Sequence, residues 1–175
     1  MTRSFAAAVG LVIVASVAVV AAKASFASPA SSVADGPYVL EITAPRTIFA
    51  IGEPITGITA ALTYHGSEAS VRIGHAHLTP LGFGIQEPVN GWNLSPAWLQ
   101  SCEMSDLARG VPLTNPFGKS GGSLRPDPAF TAFMEDPVLR LPPGTWHVYA
   151  EASFDEGNCG GTSHDIKATI TIVVQ

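Results

Sequence analysis

The chain of 175 residues is long enough for one domain and short for two. The excess in its hydrophobic content of 46% is concentrated at the N-terminus and is not credited to the fold. Two of the nine Lys and Arg residues, Arg3 and Lys23, lie in that segment; the rest of the chain sets seven basic against 14 acidic residues, a formal charge of −7. That balance, with no basic stripe, excludes a nucleic-acid backbone as partner, which needs clustered cations to release counterions.

Residues 1–27 read as an export segment. Arg3 supplies the positive end, an apolar run follows from Phe5 to Ala22, and small residues lead to exits after Ala24 or Ala27. The run of 18 residues also reaches the length of a short membrane span, so an uncleaved anchor is the rival expectation. Either way the rest of the chain is expected outside the cytoplasm, secreted or anchored by that segment. Residues 28–36 (SPASSVADG) are expected to be a flexible leader, and 37–175 a folded domain.

Within the domain, period-two alternation marks half-buried strands. Tyr38 to Thr43 is the first. Ile55 to Tyr64 follows the Gly52-Glu53-Pro54 turn, with Ile58, Ala60, Leu62 and Tyr64 on its apolar face. Ser70 to Leu78 is a further region of strand, interrupted by Gly74, a residue that inside a strand marks a bulge or a close backbone approach. From Gln86 to Pro137 the pattern is lost in Pro, Gly and Asn. Ser95-Pro96 and Gly110 bracket an expected short helix over Pro96 to Arg109, and Asp127-Pro128 opens another over Ala129 to Glu135. The Leu141-Pro142-Pro143-Gly144 turn then launches a strand with Trp146, Val148, Ala150, Ala152 and Phe154 inward. In the last strand, from His164 to Gln175, Ile166, Ala168, Ile170, Ile172 and Val174 face the core.

The expected fold is all-β, an antiparallel β-sandwich of immunoglobulin-like type with a long irregular central insertion and one disulfide. The Gly52-Glu53-Pro54-Ile55 turn into a strand, and Leu141-Pro142-Pro143-Gly144-Thr145-Trp146-His147-Val148-Tyr149-Ala150, resemble bacterial extracellular immunoglobulin-like modules. The resemblance covers the two ends of the domain and implies fold; many unrelated roles share such modules.

Cys102 and Cys159 are the only cysteines, and an even count in an exported chain points to a disulfide; two free thiols or a pair of metal ligands are the alternatives. The bridge would tie the irregular middle to the hairpin between the last two strands. It would close a 57-residue loop, worth about 4 kcal/mol by chain entropy. Redox catalysis is not expected without a Cys-X-X-Cys spacing. His75 and His77, two apart on a strand, share a face and are tentative metal ligands. Met104, two residues beyond Cys102, raises copper, although packing is its commoner use.

Gly118-Lys119-Ser120-Gly121-Gly122 has the spacing of a hydrolase nucleophile elbow, but no helix follows the serine. His164 and Asp165 sit together in the wrong order for that fold. It is not a phosphate loop either, because position 113 is Leu rather than Gly. Glu135-Asp136 and Asp155-Glu156 lie beside turns and read as solvated acids. Trp146 is expected in the core; Trp92 and Trp98 are either lids or binding anchors. Asn93-Leu94-Ser95 is a formal glycosylation signal with Pro96 behind it. These observations converge on an exported, non-enzymatic binding module. It needs no cofactor, and its partner is an extracellular protein or glycan met through the middle segment. The alternative is a small extracellular metal-binding domain using His75 and His77.

Overall fold

The computed structural model describes residues 28–76, 78–89, 91–99, 101–120 and 128–175. Residues 1–27, expected to be an export segment, and His77, Gly121, Gly122 and Asp127 fall outside the described residues. Two sheets face each other across one core, as the alternation requires. The first has the order β1 (Ala30–Asp35), β2 (Tyr38–Thr43), β4 (Thr59–Tyr64), β9 (Leu113–Pro116). The second is built on β10 (Gly144–Glu156) and β11 (Thr162–Val174), which pair antiparallel over their full lengths. The short β3 (Ile48–Phe49) runs parallel to the end of β11, so the sandwich is antiparallel with one parallel edge.

The other side of β10 is shared. Its first part pairs with β6 (Leu81–Gln86), and its end, at Asp155 and Glu156, pairs with β5 (Ser70–His75). Beyond β6 lies β7 (Asn93–Leu94), and beyond β5 lies β8 (Glu103–Ala108). A helix, α1 (Pro128–Glu135), occupies the position expected from the Asp-Pro signal and buries Phe130.

The inward positions read from alternation are buried: Trp146, Val148, Ala150, Ala152 and Phe154 from β10; Ile166, Ala168, Ile170, Ile172 and Val174 from β11; Ala60, Leu62 and Tyr64 from β4. Three segments depart from expectation. Residues 30–35 are a strand, not a flexible leader. They pair along the whole of β2, and Asp35 accepts a hydrogen bond from His164 Nδ1 of the opposite sheet at 2.6 Å. The segment from Ile55 does not enter the sheet until Thr59, because the chain bends at Gly57, whose φ of 78° is left-handed.

Most clearly, the helix expected over Pro96 to Arg109 is absent. Its second half is β8, an edge strand pairing with β5 from Ser70↔Ala108 to His75↔Glu103. Only Leu107 of β8 is buried, so pairing with β5 and attachment at Cys102, not a hydrophobic face, specify it.

Candidate functional site

The middle segment lies on the edge of the sandwich and across the outer face of the second sheet. After β6, Glu87 is buried and closes a tight return: its N–H donates to Trp92 O at 2.8 Å and its carbonyl accepts from Gly91 N at 3.1 Å. The return delivers Trp92, partly buried, against the core, where its ring meets Phe130, Phe133 and Trp146 edge-on with centroids 5.7 to 5.9 Å apart. Trp92 is thus a packing residue that seats α1. Lys119 locks the same helix from the other side. Its ammonium donates to the carbonyls of Phe133 and Asp136 at the helix end and lies 4.2 Å from the centre of the Phe133 ring. Burial pulls the Lys119 ammonium below the usual lysine range, with Asp136 opposing and Arg140 adding to the shift.

Beyond β7 the chain crosses the outside of β6. Gly82 and Gly84, alternate residues on the outward face of that strand, leave room for it. A Cβ at Gly82 would lie 2.7 Å from Pro96 Cβ and 3.1 Å from the Trp98 ring, and one at Gly84 would collide with the hydroxyl end of Tyr149. Trp98 therefore lies over Gly82, with its Nε1–H donating to Glu151 Oε1 at 3.3 Å. Tyr149, an outward position by alternation, is nevertheless buried. It leans over Gly84, donates to Leu94 O at 3.4 Å, and carries Lys167 Nζ 3.5 Å from its ring centre.

Half-buried Trp98 stands in the wall of a cleft of about 160 Å³ shared with Thr79, Leu81, Ala97, Asn115 and Ser120. The cleft opens where β6 of one sheet approaches β9 of the other. Asn115 Nδ2 donates across that gap to Leu81 O at 3.2 Å, and Phe83 meets Phe117 with centroids 5.2 Å apart. On the far side of Pro116 to Lys119 lies a second cleft, of about 280 Å³, walled by residues from Ile55 to Thr59 and from Pro137 to Leu139.

Cys102 and Cys159 form a disulfide with Cα atoms 6.0 Å apart, and both residues are exposed. Ser101, His75, Asp155 and Asp165 line a third cleft, of about 190 Å³, beside it. His75 is buried and hydrogen-bonded through Nε2 to Ser105 Oγ at 2.8 Å. His77, the other half of the expected metal pair, lies outside the described residues. Among the described residues no group of three or more His, Cys, Asp or Glu side chains is placed to hold a metal ion. Met104 is exposed on β8.

The remaining candidates are occupied by local structure. Asp155 accepts from Ser163 Oγ at 2.6 Å and from Gly160 N at 2.5 Å, closing the hairpin that carries Cys159; these two bonds hold its carboxyl below the usual aspartate range. Asp136 accepts from Val138 N and Arg140, which lower its pKa likewise, and Glu135 is exposed. Ser120 lines the Trp98 cleft, whereas His164 is bonded to Asp35 and Asp165 accepts from Ser153 Oγ at 2.7 Å. Asn93 is exposed at the start of β7.

Sequence reasoning named Trp98 but missed the seat that presents it, Gly82 and Glu151. The legible trace was the Gly-x-Gly alternation in β6, which leaves a slot on one face of a strand. No protein-family model matches the chain, and no curated protein matches it.

Proposed function

We propose that the chain is an exported, non-enzymatic binding module whose contact surface is the sandwich edge around Trp98. One observation carries this reading: a tryptophan outside the core, held over Gly82 by packing and by a hydrogen bond to Glu151, walls an open cleft. Such an amphipathic ring, fixed in place before binding, gives large contact area at low entropic cost. Export is supported by the N-terminal apolar run and by the disulfide. The metal alternative has less support, since the His75 ring is buried against Ser105.

The reading is tested on peptide and glycan arrays probed with the natural protein and with Trp98→Ala. Binding to at least one class of ligand, lost in the variant, is the expected result. Binding that survives Trp98→Ala, or covalent labelling of Ser120 by a serine-reactive probe, would overturn it.

A further inference from the structure

The seat of Trp98 and the groups that share its cleft point to a class of ligand, an assignment that rests on the binding reading proposed above. Gly82 of β6 and Glu151 of β10 are direct partners across the sheet. Trp98 meets both. Its Nε1–H donates to Glu151 Oε1 at 3.3 Å, and its Cη2 is 3.1 Å from where a Cβ on Gly82 would stand. These two atoms lie along one edge of the indole, so that edge rests on a single rung of the sheet. The one polar group of the ring is thereby committed, and what Trp98 presents to the cleft is apolar ring surface.

Three uncharged hydrogen-bonding side chains share the cleft with it. Asn115 uses one amide N–H on Leu81 O, which leaves a second N–H and the amide oxygen. The Thr79 hydroxyl accepts from Leu81 N at 3.3 Å and keeps its own hydrogen to donate, and Ser120 adds a further hydroxyl. Among the described residues no carboxylate lines the cleft. Lys119 does line it, but its ammonium is held by the Phe133 and Asp136 carbonyls, neither of which does. Glu151, which seats the ring, has Lys167 as its partner on β11, so the seat adds no charge of one sign.

An aromatic surface with hydroxyl and amide groups beside it fits a sugar ring. The C–H hydrogens on a pyranose face carry partial positive charge and meet the negative face of an indole, while the sugar hydroxyls supply partners for Asn115, Thr79 and Ser120. An apolar peptide side chain would strip those three groups of water and leave them unpaired. An ionic ligand would find no uncommitted counter-charge. At about 160 Å³ the cleft is well below the roughly 300 Å³ at which pockets begin to enclose whole small molecules, so it takes one ring rather than a length of chain. We infer that the Trp98 cleft binds the terminal ring of a neutral glycan, one face of the pyranose against Trp98 and its hydroxyls on Asn115, Thr79 and Ser120.

The backbone amide and indole N–H signals of the isotope-labelled full chain are followed by NMR during titration with neutral glucan, mannan and galactan oligosaccharides. Parallel titrations use an oligogalacturonide, as the acidic counterpart, and an uncharged leucine-containing peptide. Saturable shifts confined to Thr79, Ala97, Trp98, Asn115, Ser120 and their neighbours are expected with at least one neutral oligosaccharide, unchanged when salt is raised. Affinity is expected to fall about tenfold or more in Trp98→Ala and to be largely kept in Trp98→Phe, which retains an aromatic face. Ser120→Ala alters a half-buried hydroxyl outside the core and is expected to weaken binding about three- to tenfold. No shift at these residues with any neutral oligosaccharide would overturn the inference, as would tighter binding of the oligogalacturonide or full affinity in Trp98→Ala. Shifts at Trp98 with the peptide alone would overturn the glycan assignment while leaving the binding reading intact, whereas loss of all array binding would remove that reading itself.

Discussion

The backbone of Cys159 occupies the space where a side chain on Gly74 would stand: a Cβ on Gly74 would lie 2.5 Å from Cys159 N and 2.8 Å from its sulfur. The absent side chain lets the β10–β11 hairpin settle onto β5, bringing Cys159 within reach of Cys102. Gly74→Ala is therefore expected to cost about 1–3 kcal/mol in denaturant unfolding, as an overpacked contact against backbone does. Because the nearest atom is a backbone nitrogen, the cost persists when both cysteines are replaced by serine. A loss that vanishes in that background would place the conflict at the sulfur alone.

Cys102 is also the point at which the Trp98 segment is held after crossing β6. Cys102→Ser with Cys159→Ser is expected to lower stability by about 4 kcal/mol, the chain-entropy value for a loop of 57 residues. It is also expected to open a cleavage site between Ser95 and Cys102 in limited proteolysis. Unchanged melting would contradict the role of the bridge as a staple.

Lys119 joins the segment after β9 to the end of α1. Lys119→Met replaces the ammonium over the Phe133 ring with an apolar end of similar reach and removes the donor to the Phe133 and Asp136 carbonyls. A loss of about 1–3 kcal/mol follows from leaving those carbonyls without their charged donor. Faster hydrogen exchange over α1 than over β10 would locate the loss at the helix.

Asp155 sets an acid sensitivity in the Cys159 hairpin. Its carboxyl is depressed first by the Ser163 hydroxyl and then by the Gly160 amide, so its contribution is present above the ordinary aspartate value and lost as pH falls through its lower folded value. Stability of the natural chain and of Asp155→Asn, compared by urea unfolding, should differ at neutral pH and converge below about pH 4. A gap that widens on acidification would have the wrong sign.

Asp35 and His164 tie the first strand to the last. Asp35→Asn is expected to cost about 1 kcal/mol, a charge-assisted bond discounted for the half-exposed carboxylate, and to raise exchange of the Ala30–Asp35 amides. β2 amides should change less.

How far the sequence could be read follows the distribution of buried side chains. β2, β4, β10 and β11 each bury alternate apolar residues, so their faces were legible without coordinates. β1 buries no side chain fully, and its Ala and Ser content mimics a linker; it is ordered by pairing with β2 and by Asp35, whose bond to His164 spans 129 residues of sequence. β8 hid for the same reason, and the Ser-Pro signal at 95–96 marks the crossing of β6 rather than a helix start. At the site, residue types were visible but their seats were not. Trp92 and Trp98 look alike in sequence, and only the aromatic partners of one and the glycine slot beneath the other separate them.

The division of labour between these two tryptophans is tested most directly by the melting temperature and array binding of Trp98→Ala beside those of Trp92→Ala. Trp92→Ala is predicted to melt markedly lower, by about 2–3 kcal/mol for truncating a part-buried ring packed against the core, whereas Trp98→Ala melts near the natural chain and no longer binds. A Trp98→Ala protein that binds normally, or one that loses binding only because it has unfolded, would contradict that division.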